Sequence, residues 1–268
     1  MGFIERTARA FNKLGFKGTV AYKTKSLYFQ ILEKLGFDVK GKCYSIHVVG
    51  YEYPVYVRAG TTDLHTFYQI FILNEYGSMA DLKNPKTLLD CGANAGYASV
   101  YFLNKYPGLY SVAIEADPQN IDICKKNLAD YEGRCAIVNS GIWSHKTGLI
   151  ISRGAYRTGG EWSTQVRECK TPDEKPDLEA TDIMTIIEQH KLNQIDILKV
   201  DIERAEIAVF SKKYEKWLNR VKNIVIELHD QECEEVFMNA INQYTCDELF
   251  RYGDEMTVCK NLRPKQVS

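Results

Sequence analysis

Apolar and polar positions alternate along most of the chain in a way that predicts both strands and helices. From Thr87 onward, short apolar runs are separated by segments whose apolar residues recur every three to four positions. This order is typical of parallel strands connected by helices. The predicted strands are TLLD, YSVAIE, CAIVNS, DILKVD and NIVIELH, followed by a final pair near 248–251 and 256–259. We therefore predict an α/β fold with a doubly wound, mostly parallel seven-stranded sheet over residues 81–268.

The first 80 residues predict an extension of a different kind. Apolar residues at helical spacing indicate two helical segments. The first contains Ile4, Phe11 and Leu14, and the second contains Leu27, Ile31 and Leu35. The Tyr- and Val-rich stretch from Tyr44 to Arg58 predicts a β-hairpin. Asp63 is a candidate N-cap for a helix that runs to about Tyr76. We expect residues 1–80 to form an N-terminal helical cap and β-hairpin extension.

Residues 153–177 form the one long stretch without clear periodicity. They contain Tyr156, two glycines and Trp162. A loop of this length in a compact domain is usually a functional lid or a disordered insertion. We predict a lid-like insertion whose aromatic side chains close over a substrate, and a disordered surface loop remains the alternative.

Composition and charge narrow the classes of partner. The formal net charge of -1 argues against binding to a nucleic-acid backbone and favours a small or saccharide acceptor. The eight cysteines show no metal-ligand spacing, and no signal-peptide pattern or run of about 18 apolar residues occurs. We therefore expect a cytoplasmic protein with reduced thiols, no metal and no stable membrane insertion.

The N-terminal 42 residues depart from this neutral balance. They carry nine Lys and Arg residues against three Asp and Glu residues. Two interpretations stay open for these basic helical segments. They either cap the domain with a solvated basic face or lie on a membrane surface.

The stretch LLDCGANAGYAS follows a predicted strand and opens a predicted helix. Its glycines, Gly92 and Gly96, let the backbone approach a ligand, and the helix N-terminus offers unpaired N–H groups. In a doubly wound sheet, ligands bind at this edge. Glu115 ends the next strand, where a carboxylate can accept hydrogen bonds from both hydroxyl groups of a ribose. These features predict a nucleotide site in which the donor is either NAD(P) or S-adenosylmethionine.

Two residues in this stretch favour S-adenosylmethionine. Asp90 precedes the first glycine, where its charge would repel a diphosphate but suits the cationic amino group of a methionine moiety. Asn94 stands in place of the middle glycine, which allows the closest approach of a diphosphate. An NAD(P)-dependent oxidoreductase and a packing motif without a ligand remain alternatives.

Several blocks together resemble the FkbM family of S-adenosylmethionine-dependent methyltransferases. The blocks are TLLDCGANAGYAS, VAIEADPQNIDICKKNL, LEATDIMTIIEQHKLNQIDILKVDIERAE and IVIELH, with RAGTTD, FYQIF and EYG before them. Their order and spacing resemble those of the family over roughly residues 50–230. The resemblance implies a class I methyltransferase fold, S-adenosylmethionine as donor and, as acceptor, a hydroxyl of a sugar or small natural product.

The resemblance also assigns positions around the donor. It implies that the methionine end is held by Asp90, Gly92, Asn94 and Gly96, with Thr62 and Asp63 over it. It places Glu115 at the ribose and Ser140 and Gly141 beside the adenine. One residue departs from the family pattern, since Arg204 in DIERAE occupies a position that is usually glycine. Arg204 either points to solvent or contacts an acidic acceptor, which keeps open a non-catalytic module that binds only the donor.

The ends of the fourth and fifth strands of this fold carry the candidate chemistry. These strands are neighbours, so Asp201, Glu227 and His229 are expected to converge at one edge. We predict that Asp201 orients or deprotonates the acceptor hydroxyl, assisted by Glu227 and His229. Purely structural roles for the three residues and a divalent metal bound by them are the alternatives.

Overall fold

The structure is a computed structural model and describes residues 3–152, 165–171, 173–253 and 255–265. The N-terminal elements are helix α1 (Phe3–Lys34), strands β1 (Cys43–Ile46) and β2 (Val55–Arg58), and helix α2 (Asp63–Phe67). The predicted hairpin is confirmed, since β1 and β2 pair antiparallel. The two predicted helical segments agree with the structure, since α1 consists of two helices that meet at Gly15, where φ is 63°, ψ is -176° and the backbone is not helical. Helix α2 continues only as a π-helical segment to Ile72, so the prediction of a helix to Tyr76 is wrong.

The remaining elements follow the predicted alternation. The helices are α3 (Tyr97–Lys105), α4 (Pro118–Leu128), α5 (Ile183–Gln189), α6 (Glu206–Ser211), α7 (Glu215–Leu218) and α8 (Gln231–Ile241). The strands are β3 (Thr87–Cys91), β4 (Tyr110–Glu115), β5 (Cys135–Asn139), β6 (Gly141–Ile142), β7 (Thr147–Ser152), β8 (Gln165–Glu168), β9 (Leu178–Thr181), β10 (Ile197–Val200), β11 (Ile224–Glu227), β12 (Tyr244–Thr245), β13 (Glu248–Tyr252), β14 (Met256–Lys260) and β15 (Arg263–Pro264).

Seven of these strands form the predicted sheet. Their order is β5-β4-β3-β10-β11-β14-β13. The first five are parallel to one another, and β14 runs antiparallel to both of its neighbours. The strand order reverses beside β3, which lies between β4 and β10. In sheets of this kind a ligand-binding crevice opens beyond the carboxyl ends of the strands at such a reversal.

Both faces of the sheet are covered by separate apolar clusters. Leu88 and Ile197 pack on the face that is covered by α3, α4 and the N-terminal extension. Leu89 and Leu198, one residue further along the same strands, pack on the opposite face against α5 to α8. Successive side chains of a strand point to opposite faces, so these continuous apolar runs are strands that are buried on both sides. This arrangement confirms the doubly wound fold.

The N-terminal extension shares its core with the sheet domain. Ala10 and Leu14 of α1 and Phe67 of α2 belong to the same buried cluster as Tyr97 and Phe102 of α3. The opposite face of α1 lies in solvent and includes the exposed side chains of Phe11 and Phe16. None of the helices in the described part is long and apolar enough to cross a membrane.

The predicted lid falls only partly within the described residues. Residues 153–164 and 172, among them Tyr156, Gly159, Gly160 and Trp162, lie outside them. The following residues form β8, which pairs antiparallel with β7 in a four-stranded sheet of order β6-β9-β7-β8. This segment is therefore a strand rather than an irregular loop. Its alternation is weak because the side chains from Val166 to Glu168 are all half-buried.

Candidate active site

Two cavities adjoin beyond the carboxyl ends of the central strands. The first holds about 670 Å³ of empty space and the second about 1170 Å³. Four residues line both of them, namely Gly92, Asn94, Asp201 and Glu203. The first cavity extends from this shared wall towards β4 and β6, and the second towards α2 and β11. The crevice therefore has two compartments that meet at the ends of β3 and β10.

Two glycines set the shape of the loop between β3 and α3. Gly92 has φ 81°, and a Cβ atom there would overlap the carbonyl oxygen of Asp201. Gly96 has φ 80°, and its Cβ would lie 3.0 Å from Sγ of Cys124 on α4. Only glycine adopts this backbone conformation without strain. Gly92 thus lets the ends of β3 and β10 approach, and Gly96 lets α3 begin against α4.

Glu115 lies at the end of β4, in the wall of the first cavity. Its Oε2 accepts a hydrogen bond from the backbone N–H of Asn94 at 2.7 Å, and its Oε1 accepts one from that of Asp117 at 2.8 Å. Burial raises the pKa of this carboxyl, and the two backbone donors act in the opposite direction. Each carboxylate oxygen can accept a second hydrogen bond. Glu115 is therefore held in place by its backbone donors, and its carboxylate lines the first cavity as a hydrogen-bond acceptor.

The far end of the first cavity is largely apolar. Its lining includes Ile114, Gly141, Ile142 and Val166. Ser140 also lines it, and its Oγ donates a hydrogen bond to the carbonyl oxygen of Glu179 at 2.9 Å. A slot with apolar walls next to a diol-binding carboxylate fits a nucleoside, with the base between the apolar side chains.

Asp90 lies elsewhere than the sequence predicts. It is fully buried and lines neither cavity. Ser99 Oγ donates a hydrogen bond to it at 2.7 Å, and Nζ of Lys199 lies 3.3 Å from its Oδ1. Asp90 therefore has a cation of the chain itself as its partner, in place of the exposed position at the ligand edge that the sequence predicts. The signal was present in DILKVD, where Lys199 occurs inside an otherwise apolar strand.

The buried Lys199 connects β10 to the glycine loop. Its Nζ donates a hydrogen bond to the carbonyl oxygen of Gly92 at 2.5 Å and lies 3.7 Å from Oδ2 of Asp201. Burial favours the neutral amine, yet the carboxylates of Asp90 and Asp201 raise the pKa of Lys199 above its usual value. The side chain therefore remains charged and holds the loop against the strand.

Thr62 and Asp63 also lie outside the cavities, which corrects their predicted position over the methionine end. Asp63 is fully buried and accepts hydrogen bonds from the guanidinium and the backbone N–H of Arg58. It therefore anchors α2 to β2. Residues two to six positions beyond Asp63, namely His65, Thr66 and Gln69, line the second cavity instead.

The second cavity brings together the three predicted catalytic residues. Asp201 and Glu227 stand side by side because β10 and β11 pair in parallel. Nε2 of His229 lies 3.7 Å from Oδ1 of Asp201 and 3.7 Å from Oε1 of Glu227. Glu203 Oε2 is 3.5 Å from the same nitrogen. The convergence of the three side chains, inferred from strand order alone, agrees with this geometry.

Close packing of acidic groups changes their protonation. Burial, with repulsion from Asp201, raises the pKa of Glu227 to about 9. Burial also raises the pKa of Glu75, across the cavity, to about 7. Burial by itself lowers the pKa of His229, but its contacts with Glu206 and the other carboxylates raise it to about 10. The cluster therefore holds several protons at neutral pH when nothing else compensates its negative charge.

Sequence reasoning missed Glu206, which lies behind His229. It is fully buried, and its Oε1 is 3.5 Å from Nδ1 of His229. The same oxygen accepts a hydrogen bond from the backbone N–H of Ile202 at 2.9 Å. Glu206 is the third acidic residue of DIERAE. Its position in the first turn of α6, directly after β10, was the sequence signal, because a side chain there can face back to the strand edge.

Comparison with known proteins identifies the family of the chain. The family model for the methyltransferase FkbM domain matches residues 90–254, which is more than half of the chain. The chain belongs to the FkbM methyltransferase family. The resemblance inferred from the sequence blocks is thus confirmed, and with it the prediction of S-adenosylmethionine as cofactor.

Curated relatives of this FkbM methyltransferase carry the same general description. Methyltransferase sdnD of Sordaria araneosa is 28% identical over 182 residues, which cover 56% of this chain and 68% of the relative. Methyltransferase 1 of Beauveria bassiana is 22% identical over 205 residues, which cover 68% of this chain and 80% of the relative.

Solved structures with a similar course of the chain include two further methyltransferases. TrmK of M. capricolum, in complex with S-adenosylhomocysteine, has a TM-score of 0.41 and 11% identity over 72% of this chain and 71% of its own. Precorrin-6y C5,15-methyltransferase of Geobacter metallireducens has a TM-score of 0.43 and 12% identity over 72% of this chain and 87% of its own.

The structure also explains the departure of this FkbM methyltransferase from the family pattern at Arg204. The residue has φ 75°, a conformation that glycine adopts without strain. Its guanidinium forms ion pairs with Asp230 and Glu232 at 2.7 Å each. Arg204 lines neither cavity. Of the two predicted orientations, the structure therefore shows one outside the crevice, against the N-terminus of α8.

Proposed function

We propose that this FkbM methyltransferase transfers the methyl group of S-adenosylmethionine to a hydroxyl group of a sugar or small natural product. The observation that supports this proposal most directly is the pair of cavities that share a wall at Gly92, Asn94, Asp201 and Glu203. One compartment has the features of a nucleoside site. The other presents carboxylates and an imidazole, which are groups that hydrogen-bond and deprotonate a hydroxyl.

The residues of the first cavity fit the donor. Glu115 would accept the hydroxyl protons of the ribose, and Ser140 and Gly141 would lie beside the adenine. The loop containing Gly92, Asn94 and Gly96 would hold the methionine end. When bound, S-adenosylmethionine supplies a methyl group that its sulfonium already activates for transfer.

The residues of the second cavity then have mainly to position the acceptor. Holding two reacting groups in the correct geometry accounts for about 7–11 kcal/mol of a barrier, whereas a general base contributes about 10²- to 10⁴-fold. Asp201 is the favoured residue for orienting or deprotonating the acceptor hydroxyl because it lies in the wall shared by both cavities. Glu227 and His229 assist by fixing its position and sharing its negative charge.

The cellular setting is part of the same proposal. All eight cysteines are free, and four of them are buried. Free thiols support a reducing compartment such as the cytoplasm. The near-neutral net charge supports a small-molecule or saccharide acceptor over a nucleic acid.

Transfer of a radiolabelled methyl group to a panel of monosaccharides, glycosides, small alcohols and amines tests the proposal. We expect label on a hydroxyl oxygen, and Asp201→Asn should lower turnover at least about 10²-fold while S-adenosylhomocysteine still binds. Full turnover by that variant would refute the role of Asp201. Label on amines alone would refute the acceptor class, and donor binding without turnover across the panel would favour a non-catalytic module.

A further inference from the structure

We propose that Asp201, Glu227 and His229 form a binding site for a divalent transition-metal cation in the wall of the second cavity. This proposal rests on the proposed function and specifies how the cluster would hold an acceptor hydroxyl. One ligand atom from each residue lies within 4.8 Å of the others. Of the three residues, only Asp201 lines both cavities. Glu227 and His229 line the second cavity alone.

The imidazole of His229 is the first observation that points to a ligand. Its side chain is only 5% exposed, and its Nδ1 is buried without a hydrogen-bond partner among the described residues. Nε2 instead faces three carboxylate oxygens, of Asp201, Glu203 and Glu227, at 3.5 to 3.7 Å. These distances are too long for hydrogen bonds. They are close to the separation of about 3–3.5 Å between ligand atoms that each lie about 2.1 Å from one metal ion.

The other ring nitrogen supplies an independent observation. Nδ1 of His229 faces the fully buried carboxylate of Glu206 at 3.5 Å. A metal-binding histidine commonly donates its second N–H to a carboxylate, which fixes the tautomer and the orientation of the ring. The hydrogen bond from Ile202 N–H holds Glu206 in that position. The buried carboxylate therefore lies on the side of the ring where such a partner is found, at an ion-pair distance of 3.5 Å that is longer than a normal hydrogen bond.

The charge of the second cavity favours a cation. Five carboxylates line it, and Lys199 is the only Lys or Arg among the described lining residues. Lys199 is already engaged by Asp90 and Gly92. Carboxylate oxygens suit Mg²⁺ and Mn²⁺, whereas imidazole suits Zn²⁺ and Fe²⁺, so the mixed ligand set fits a divalent transition-metal cation, for which Mn²⁺ serves as the probe. Bound there, it would act as a Lewis acid for the acceptor oxygen.

Mn²⁺ titration of chelator-treated protein, followed by the loss of the free-ion EPR signal, tests the site without any turnover. We expect one Mn²⁺ per chain, and both Glu227→Gln and His229→Asn should weaken binding at least about tenfold. Glu227→Gln conserves side-chain shape, so it keeps the test valid if His229→Asn fails to fold. Glu255→Gln is the matched control because it removes one charge from the same cavity without removing a proposed ligand, and it should change affinity by less than about threefold.

A parallel titration with S-adenosylhomocysteine separates the two proposals. If the protein binds the donor product and methylates an acceptor in the presence of chelator, but takes up no Mn²⁺, the cation site is refuted and the proposed function stands. If neither ligand binds to folded protein, the proposed function fails as well. Equal loss of Mn²⁺ binding in Glu255→Gln and Glu227→Gln would also overturn the site, because it would indicate diffuse attraction only.

The outer face of α1 carries a second, independent inference: we propose that it docks on an anionic lipid surface. Beyond the bend at Gly15, exposed apolar side chains recur at helical spacing, namely Phe16, Val20, Leu27, Ile31 and Leu35. The other face of this second helix packs against the core through Thr19, which is buried, and Tyr22, which is half-buried. This exposed apolar stripe is therefore surplus to the fold, and Lys23 and Thr24 divide it into Phe16 with Val20 and Leu27 with Ile31 and Leu35.

The positive charge of residues 1–42 indicates which kind of surface binds this stripe. Residues 1–42 hold nine Lys and Arg against three Asp and Glu, although the whole chain has a net charge of -1. A symmetric contact with a second copy would bring two basic faces together, which costs energy. An anionic bilayer complements both features, since apolar side chains enter the interface while Lys side chains reach the headgroups.

Co-sedimentation with phosphatidylcholine vesicles, with and without phosphatidylserine, tests this surface. We expect binding only with phosphatidylserine, weakening with salt, and a loss of at least about tenfold in the combined variant Leu27→Ser, Ile31→Ser and Leu35→Ser. Leu249→Ser, at an apolar residue 42% exposed on β13, is the control and should bind as the unchanged protein does. Absence of binding at low salt, or equal binding by the triple variant, would overturn the proposal, as would a dimer that the triple variant dissociates.

Discussion

At the scale of single residues, the crevice depends on backbone positions that few side chains tolerate. Gly92, Gly96 and Asn94 all have positive φ, and together they bring the loop after β3 beneath both cavities. The same region places Glu203 and Arg204 in the left-handed conformation after β10. Strain of this kind is common at functional sites. Both strand ends that form the shared wall are therefore built from unusual backbone.

Replacement of Gly92 tests whether the wall requires this close approach. Gly92→Ala should destabilise the protein by about 1–2 kcal/mol through its φ of 81°. Overlap of the new Cβ with the carbonyl oxygen of Asp201 should add about 1–3 kcal/mol. Gly133→Ala is the control, because φ is 78° there and nothing lies within 4 Å of the Cβ position. Equal losses in urea unfolding would show that the contact between β3 and β10 is not tight.

Arg204 allows a test in the stabilising direction. Arg204→Ala keeps the strained φ of 75° and loses both ion pairs, whereas Arg204→Gly loses the same pairs but relieves the strain. We expect the glycine variant to be about 1–2 kcal/mol more stable than the alanine variant. Equilibrium unfolding of the two proteins measures this difference. An alanine variant as stable as the glycine variant would contradict the left-handed assignment.

At the scale of elements, the ends of β3 and β10 are joined by a buried charge network. Lys199 on β10 pairs with Asp90 on β3, and Ser99 of α3 completes the contacts of Asp90. The network lies directly below the shared wall of the cavities. Loss of one partner leaves the other charged and buried, which costs more than loss of both.

A double-mutant cycle measures this network. Lys199→Met should destabilise the protein by about 3–5 kcal/mol, because Asp90 is then buried without its cation. Adding Asp90→Asn should restore a large part of that stability, although neither single substitution is favourable by itself. Free energies of unfolding in urea provide the values. Additive losses in the double variant would show that the two groups act independently.

Prediction from the sequence succeeded where neighbouring positions determine the structure. The strands around Leu88 and Leu198 carry apolar residues at consecutive positions, so burial on both faces was visible in the pattern. The partner of Asp90 was not visible, because Lys199 is distant in sequence and reaches it only across paired strands. The strand that contains Val166 was missed because its side chains are half-buried and leave no clear alternation. Prediction from the sequence therefore failed for contacts between residues that are distant in the chain.

At the scale of the whole molecule, the extension and the sheet domain form one apolar core. Phe67 of α2 lies 6.3 Å from Tyr97 of α3, measured between ring centroids, and Tyr22 of α1 stacks on Phe67. The second cavity has walls from both parts, since α2 faces the ends of β10 and β11 across it. The extension is therefore needed to form the proposed acceptor site.

Shared packing predicts cooperative unfolding. Differential scanning calorimetry of the full chain should show a single transition, with calorimetric and van't Hoff enthalpies that agree. The reason is that loss of α1 and α2 exposes Tyr97 and other core residues of α3. Two separate transitions would indicate that residues 1–80 and 81–268 fold independently.

Calorimetric titration with S-adenosylhomocysteine, and separately with NAD, tests the proposed donor site most directly. The protein should bind one S-adenosylhomocysteine and no NAD. Glu115→Gln should weaken binding about 10- to 100-fold, because a charge-assisted hydrogen bond contributes about 1.5–3 kcal/mol. Glu132→Gln, at an exposed residue, should leave the affinity unchanged. Binding of NAD, or binding of S-adenosylhomocysteine that is indifferent to Glu115, would contradict the account.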